Sequence, residues 1–256
     1  MNKEEALSLL PDNCRALVIV SGGLDSTIAL RLAVEKYGKN NVKALTFDYG
    51  QKQAVEIGYA VESCDYLEVN HEIINAEFLH DLSMGFSANV DDSIPMPTIQ
   101  EILGDPQPKT YIPNRNMILM SIAAAYAEVN SLNVILCGLQ VHDLYSYWDT
   151  SARFVEKLND VLAENRKQKI SVISPFSQLS KMEELSLLKQ IDGNLNLARL
   201  TFTCYNPKFG MQCGKCPSCA ERIMNFAKFG CEDPQFYAID IDWKKLIAKE
   251  AEKSVQ

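Results

Sequence analysis

The chain has 256 residues, 47% of them hydrophobic and 23% charged, with a formal net charge of -8 and a sequence pI near 5.0. That length and apolar content can bury a substantial core, as one large α/β domain or one domain with an appendage. The acidic balance argues against a large nucleic-acid footprint, which needs clustered Lys and Arg, and no stretch reaches the roughly 18 uninterrupted apolar residues of a membrane-spanning helix.

The opening Met-Asn-Lys-Glu-Glu lacks the pattern of a signal peptide, so the expectation is a soluble, cytoplasmic protein. Thiols stay reduced in that compartment. The eight cysteines therefore point to metal binding or catalysis more than to disulfides.

Residues 16–20 are apolar and read as a strand that runs into Ser21, Gly22, Gly23, Leu24, Asp25 and Ser26. Glycines let the backbone take positive φ and approach a phosphate closely, while the serine hydroxyls add donors at the rim. Ile28, Ala29, Leu32 and Ala33 then recur at helical spacing over 26–37, placing the turn at a helix N-terminus, where free amides and the dipole favour an anion. Asp25 would cap that helix or hold Mg²⁺. No Gly-Lys-Ser/Thr follows the glycines, which excludes the Walker-type loop of γ-phosphate transfer and moves the expected chemistry to the α-phosphate of ATP.

Further strands are expected near 42–48, 66–70, 132–137 and 169–173, with helices over 53–64, 117–129, 151–165 and 181–190 and a shorter one after Pro217. This alternation implies right-handed crossovers and a Rossmann-like α/β fold, a parallel sheet with helices on both faces. Ligands of such sheets gather at the carboxyl ends of the strands, where the glycine turn and segments 48–51 and 137–143 stand. Residues 80–114, with five prolines and no period, read as an irregular substrate loop. The expected division is an ATP-binding domain over 1–200 and a metal knuckle with a helical tail over 201–256.

Cys204, Cys213, Cys216 and Cys219 form C-x8-C-x2-C-x2-C, which directs four sulfurs at one point. Four thiolates close a tetrahedral structural Zn²⁺ site, with Gly214 relieving the turn and Pro217 starting the helix that carries Cys219. The competitor is a [4Fe-4S] cluster held by the same C-x2-C-x2-C run, with Cys204 or Cys231 as the fourth ligand. Cys14, Cys64 and Cys137 read as small core hydrophobes. Among the three histidines, only His142 falls at an expected strand end.

Ser-Gly-Gly-x-Asp-Ser resembles the signature of the PP-loop ATP pyrophosphatases, whose members grip departing pyrophosphate and leave AMP on a substrate oxygen. A wider likeness joins that loop to Phe-Asp-Tyr-Gly-Gln at 47–51, Tyr-Ile-Pro-Asn-Arg-Asn at 111–116, the segment 138–143, Ser180-Lys181 and Thr203-Cys204-Tyr205 with Cys-Gly-Lys-Cys-Pro-Ser-Cys. Over nearly its whole length the chain resembles the 7-cyano-7-deazaguanine synthase family. The resemblance implies that ATP adenylates 7-carboxy-7-deazaguanine, that ammonia displaces AMP to give an amide, and that a second ATP drives dehydration to the nitrile. It also implies a homodimer. Asp25, Arg115, Asp143 and Lys181 would then be catalytic, Phe47 and Tyr49 would stack on a purine ring, and Gln51, Arg115 and Asn116 would meet the substrate.

Two departures stand out. Where the family usually reads Gly-Gln-Arg-His, this chain has Gly50-Gln51-Lys52-Gln53, replacing an imidazole by an amide that cannot handle a proton. After Asp143 the family's proline, cysteine and arginine give way to Trp148, Thr150 and Ser151. These departures leave open a paralogue that stops at the amide or joins the activated acid to another amine, such as a protein group. An iron-sulfur tRNA thiolase and a non-catalytic nucleotide-binding subunit are the remaining readings.

Overall fold

The computed structural model describes residues 1–97, 101, 107–139 and 147–253. In chain order the elements are α1 (Lys3–Ser8), β1 (Ala16–Ile19), α2 (Leu24–Tyr37), β2 (Val42–Asp48), α3 (Val55–Tyr66), β3 (Asn70–Asn75) and α4 (Phe78–Ser83). There follow α5 (Arg115–Val129), β4 (Val134–Leu136), α6 (Ala152–Ala163), β5 (Ser171–Ile173), α7 (Lys181–Asp192), α8 (Pro217–Phe229) and α9 (Trp243–Lys253).

The strands form one sheet in the order β3-β2-β1-β4-β5, and every pairing is parallel. Because strand side chains alternate between faces, neighbouring residues of β1 enter different cores. Ala16 and Val18 pack with α2 and α7, whereas Leu17 packs with Leu119, Met120 and Ala123 of α5 on the opposite face. The sheet is thus doubly wound. The first crossovers run from β1 through β2 to β3, and the chain then returns to place β4 on the other side of β1. The strand order reverses between β1 and β4, and the carboxyl ends of these two strands open the crevice where ligands of such sheets bind.

α2 is buried along most of its first three turns, from Leu24 to Ala33, because it lies between the sheet and α7. Phe226 of α8 joins the same buried cluster. No helix among the described residues is long and apolar enough to cross a membrane.

The third strand differs from its expected position at 66–70. α3 continues to Tyr66, Glu68 takes a left-handed turn at φ 53°, and pairing with β2 begins at Asn70. As an edge strand β3 keeps most of its side chains out of the core, so Asn70, Glu72 and Asn75 give it no apolar signal. The short helices α1 and α4 were not expected from periodicity either. α1 is fixed locally by a capping box between Asn2 and Glu5.

Candidate functional site

The turn after β1 is held by its own serines. Ser21 and Ser26 share a hydrogen bond of 3.1 Å between their hydroxyls, the Ser26 hydroxyl contacts the Gly23 carbonyl at 3.1 Å, and the Ser21 amide donates to the Ser26 hydroxyl at 3.1 Å. Gly22 sits at φ +90°, and a Cβ built there would lie 2.0 Å from the backbone oxygen of Glu56. Only glycine lets the loop and the first turn of α3 approach this closely. Across the crevice, a Cβ on Gly138 would lie 2.9 Å from the Ser26 nitrogen, so the end of β4 presses equally hard on the first turn of α2. The Gly22 carbonyl accepts the Phe202 amide at 2.8 Å, which ties the loop to the segment that enters the cysteine cluster.

Gly23 is the N-cap of α2 and no side chain caps the helix. Asp25 is therefore not a cap. Its carboxylate meets the Lys181 ammonium at 2.5 Å, bringing the first turn of α7 to the glycine loop.

The loop borders a cavity of about 1120 Å³ at the carboxyl ends of β1, β2 and β4. Of the residues expected at the site, Ser21, Gly23, Asp25 and Ser26 line it from below, Phe47, Tyr49 and Gln51 from the end of β2, and Arg115 and Asn116 from the start of α5. Gly22 and Leu24 shape the loop, and Leu24 is buried in the core behind it. Lys181 borders an adjoining smaller cavity. Asp143 and His142 lie outside the described residues.

The Arg115 guanidinium at this cavity is held by a small network. Asn114 takes φ 55° and starts α5 two residues earlier than periodicity placed it, putting Arg115 and Asn116 in the first helical turn. The Arg115 guanidinium donates to the Tyr49 hydroxyl at 3.2 Å and lies 5.6 Å from the Tyr49 ring centre. Burial disfavours its charge, but Tyr49, Tyr147 and Asp149 more than compensate and hold it above the usual guanidinium value. Asp149 is buried, and one carboxylate oxygen accepts the Asn116 amide at 3.0 Å. Burial raises the Asp149 carboxyl, against the Asn116 hydrogen bond and Arg115.

Several cavity residues escaped the sequence reading, Glu56 foremost. It stands in the first turn of α3, and burial pushes its carboxyl up to about 8, against the pull of Arg115 and a hydrogen bond with Gln51. Its only signal in the sequence was an acidic residue near a helix start. Asn89, Met96 and Thr110 bring the irregular segment to the cavity wall, and Tyr205 and Lys215 bring the cysteine region. The departing segment has structural duties. Trp148 donates its indole N–H to the Tyr111 hydroxyl at 2.8 Å, and Ser151 caps α6 by accepting the Phe154 amide at 3.1 Å. Cys64 and Cys137 are buried thiols pushed up to about 12 by burial, and their places in the core agree with their reading as small hydrophobes.

The four cysteine sulfurs lie within 4.8 Å of one another. Cys213 and Cys219 are 3.9 Å apart, as are Cys204 and Cys216. Zn–S bonds of about 2.3 Å set the edge of a tetrahedron at about 3.8 Å, so the donor set fits such an ion. Amides of Asn206 and Cys213 donate to the Cys204 sulfur at 3.3 and 3.2 Å, and those of Lys215 and Cys216 to the Cys213 sulfur at 3.4 and 3.2 Å. Such donors suit thiolates. Hydrogen bonds with Cys204 and Cys219 lower Cys216, and those with Cys204 and Cys216 raise Cys219, since neighbouring sulfurs cannot all ionise without a counter-cation. Behind the cluster, the Arg222 guanidinium donates to both oxygens of Asp233 at 2.6 and 3.0 Å and to Thr201 at 2.7 Å, fixing α8 to the segment before Cys204.

The fold and site define an α/β protein with a glycine-walled loop at the reversal point of a doubly wound sheet and a metal-competent four-cysteine cluster beside it. The model of the queuosine biosynthesis protein QueC family matches residues 15–230, and the chain belongs to that family. It is 37% identical over 223 residues to the 7-cyano-7-deazaguanine synthase of Pseudoalteromonas atlantica, covering 87% of this chain and 98% of that protein. The enzyme of the same name from Caldicellulosiruptor bescii is 33% identical over 230 residues, covering 90% of this chain and all of the relative. Synthase relatives matched along nearly their whole length identify the chain as an enzyme of the PP-loop superfamily.

Proposed function

We propose that the protein is an ATP-dependent C–N ligase that adenylates the carboxyl group of 7-carboxy-7-deazaguanine, lets ammonia displace AMP, and dehydrates the amide with a second ATP to 7-cyano-7-deazaguanine. The observation that carries this reading is the glycine-walled loop opening onto a cavity that the half-buried Arg115 also lines. A carboxylate is a poor electrophile, and joining it to AMP supplies a leaving group. Negative charge grows on the pyrophosphate as it departs, so loop amides, the Ser21 and Ser26 hydroxyls and Lys181 act where charge develops, with Mg²⁺ delivered alongside the nucleotide. Arg115, fixed by Tyr49, would hold the substrate carboxylate or the α-phosphate. Phe47 and Tyr49 offer ring faces for a purine, and Gln51 and Asn116 offer amides.

The cysteine cluster fits zinc, with Cys204, Cys213, Cys216 and Cys219 holding it and locking the knuckle to the phosphate loop. Ammonia as the amine, a homodimer and a cytoplasmic setting belong to the same reading. Mass detection after incubation with the acid, ATP and ammonium should show the nitrile. Unreacted acid would overturn the proposal.

A second reading has its own support. Gln53 lines the cavity, and its amide nitrogen is buried without a partner among the described residues. Trp148 and Ser151 also have local bonding duties in the segment where the family's proline, cysteine and arginine are missing. A changed second half-reaction, ending at the amide or at a conjugate with another amine, would appear in the same assay as a product heavier than the nitrile.

A further inference from the structure

A second cavity of about 460 Å³ adjoins the first behind the phosphate loop, and the two share Gly23, Asp25, Glu56, Tyr205, Pro217 and Ala220 as common walls. Glu56 therefore stands at the neck between them. The charges on the two sides differ. Ser21, Ser26, Arg115 and Lys215 line only the large cavity, giving it the hydroxyls and cations that suit phosphates and carboxylates. The small cavity has Lys181 and Arg222, but Asp25 engages the first and Asp233 the second, so neither offers the open guanidinium and hydroxyl pair of the large one. A molecule as small as ammonium fits this side, while the nucleotide is served by the large cavity and by the Asp25–Lys181 pair at its edge.

We infer that the small cavity is the inlet for the amine and that Glu56, at its neck, accepts the proton of the incoming ammonium. The inference rests on the proposed adenylation. In the step, the Glu56 carboxylate takes one proton from ammonium, and the freed lone pair forms the C–N bond to the adenylate carbonyl carbon. The C–O bond to AMP then breaks with its electron pair going to the phosphate oxygen, and the phosphate takes the second proton that the nitrogen sheds. Glu56 returns its proton to water through the small cavity. The charged and titratable groups on the walls around it are Asp25 and Lys181 at the loop, Arg115, Tyr49, Tyr147, Lys215, Cys137 and Cys216 in the large cavity, Tyr205 between the two, and Glu221 and Arg222 in the small one. A carboxyl already raised by burial operates near neutral pH, where an acid–base group works best.

The test separates the two half-reactions. Glu56→Gln should keep acid-dependent exchange of labelled pyrophosphate into ATP within about threefold, yet lower amide formation from ammonium by about 10²-fold or more. Hydroxylamine, uncharged at neutral pH, needs no such acceptor, and its hydroxamate should form within about threefold of wild type. Met224→Trp, which fills the small cavity away from the loop, should raise KM for ammonium and leave exchange intact. Equal loss with ammonium and hydroxylamine, or loss of exchange in Glu56→Gln, would overturn the inference while the adenylation reading stands. Wild-type protein that exchanges no pyrophosphate with the acid would overturn the adenylation reading, and this inference with it.

Discussion

Replacing Gly138 by alanine adds one methyl group at a tight contact between the end of β4 and the glycine loop. The new Cβ would lie 2.9 Å from the Ser26 nitrogen, 3.1 Å from the Asp25 carbonyl carbon and 3.2 Å from the Asp25 Cβ. Carbon contacts settle at about 3.5–4.0 Å, so the first turn of α2 would retreat by about half an ångström or more. Overpacking of this kind costs about 1–3 kcal/mol, which in a domain of this size lowers Tm by about 2–12 °C. A displacement approaching 1 Å in groups that position phosphates lowers turnover by up to about 10²-fold. Gly58, on α3, provides the control. A Cβ there meets nothing within 4 Å, and alanine in a helix interior should stabilise by about 0.5–1 kcal/mol. Calorimetric melting and ATP titration of both variants decide the matter. A Gly138→Ala protein with wild-type Tm and ATP affinity would refute the argument that this glycine sets the loop.

The remaining predictions concern charge and metal. Asp233→Ala strands the buried Arg222 guanidinium and should cost about 3–5 kcal/mol in denaturant unfolding, and a Tm near wild type would count against the clamp. Lys181→Met removes the cation beside Asp25 and should lower kcat/KM for ATP by about 10²-fold with little change in Tm, as expected for a donor aimed at developing charge. Because burial holds the Glu56 carboxyl at about 8 in the folded chain, above its ordinary 4.5, its neutral form favours folding. That advantage is complete below about pH 4.5 and is lost as pH rises toward 8. The Tm of wild type relative to Glu56→Gln should therefore decline over this interval, and a constant difference would contradict the shift. Cys213→Ser should lower bound zinc and Tm while nearly preserving ATP affinity, whereas loss of activity in a protein that keeps its fold and its metal would contradict a structural site.

The parts of the site legible in the sequence are those written in consecutive residues. Strand, glycine turn and helix N-terminus adjoin between Ala16 and Ser26, and four cysteines span sixteen positions, so local geometry alone brings their functional atoms together. The parallel sheet was legible in the alternation of strands and helices, but the place of β3 was not, because an exposed edge strand carries no apolar alternation. Glu56 and Asp149 were invisible for another reason. Each is an acidic side chain whose burial and partners come from distant elements, Arg115 and Gln51 for one and the first turn of α5 for the other. The pairing of Asp25 with Lys181 joins residues 156 positions apart and likewise appears only in the folded chain.

The central claim is that a substrate carboxylate attacks the α-phosphorus of ATP in the crevice between β1 and β4. The most direct measurement supplies 7-carboxy-7-deazaguanine labelled with heavy oxygen in its carboxyl group and weighs the nucleotide product. The account predicts AMP carrying one labelled oxygen, together with pyrophosphate. Unlabelled AMP, or ADP with phosphate, would contradict it.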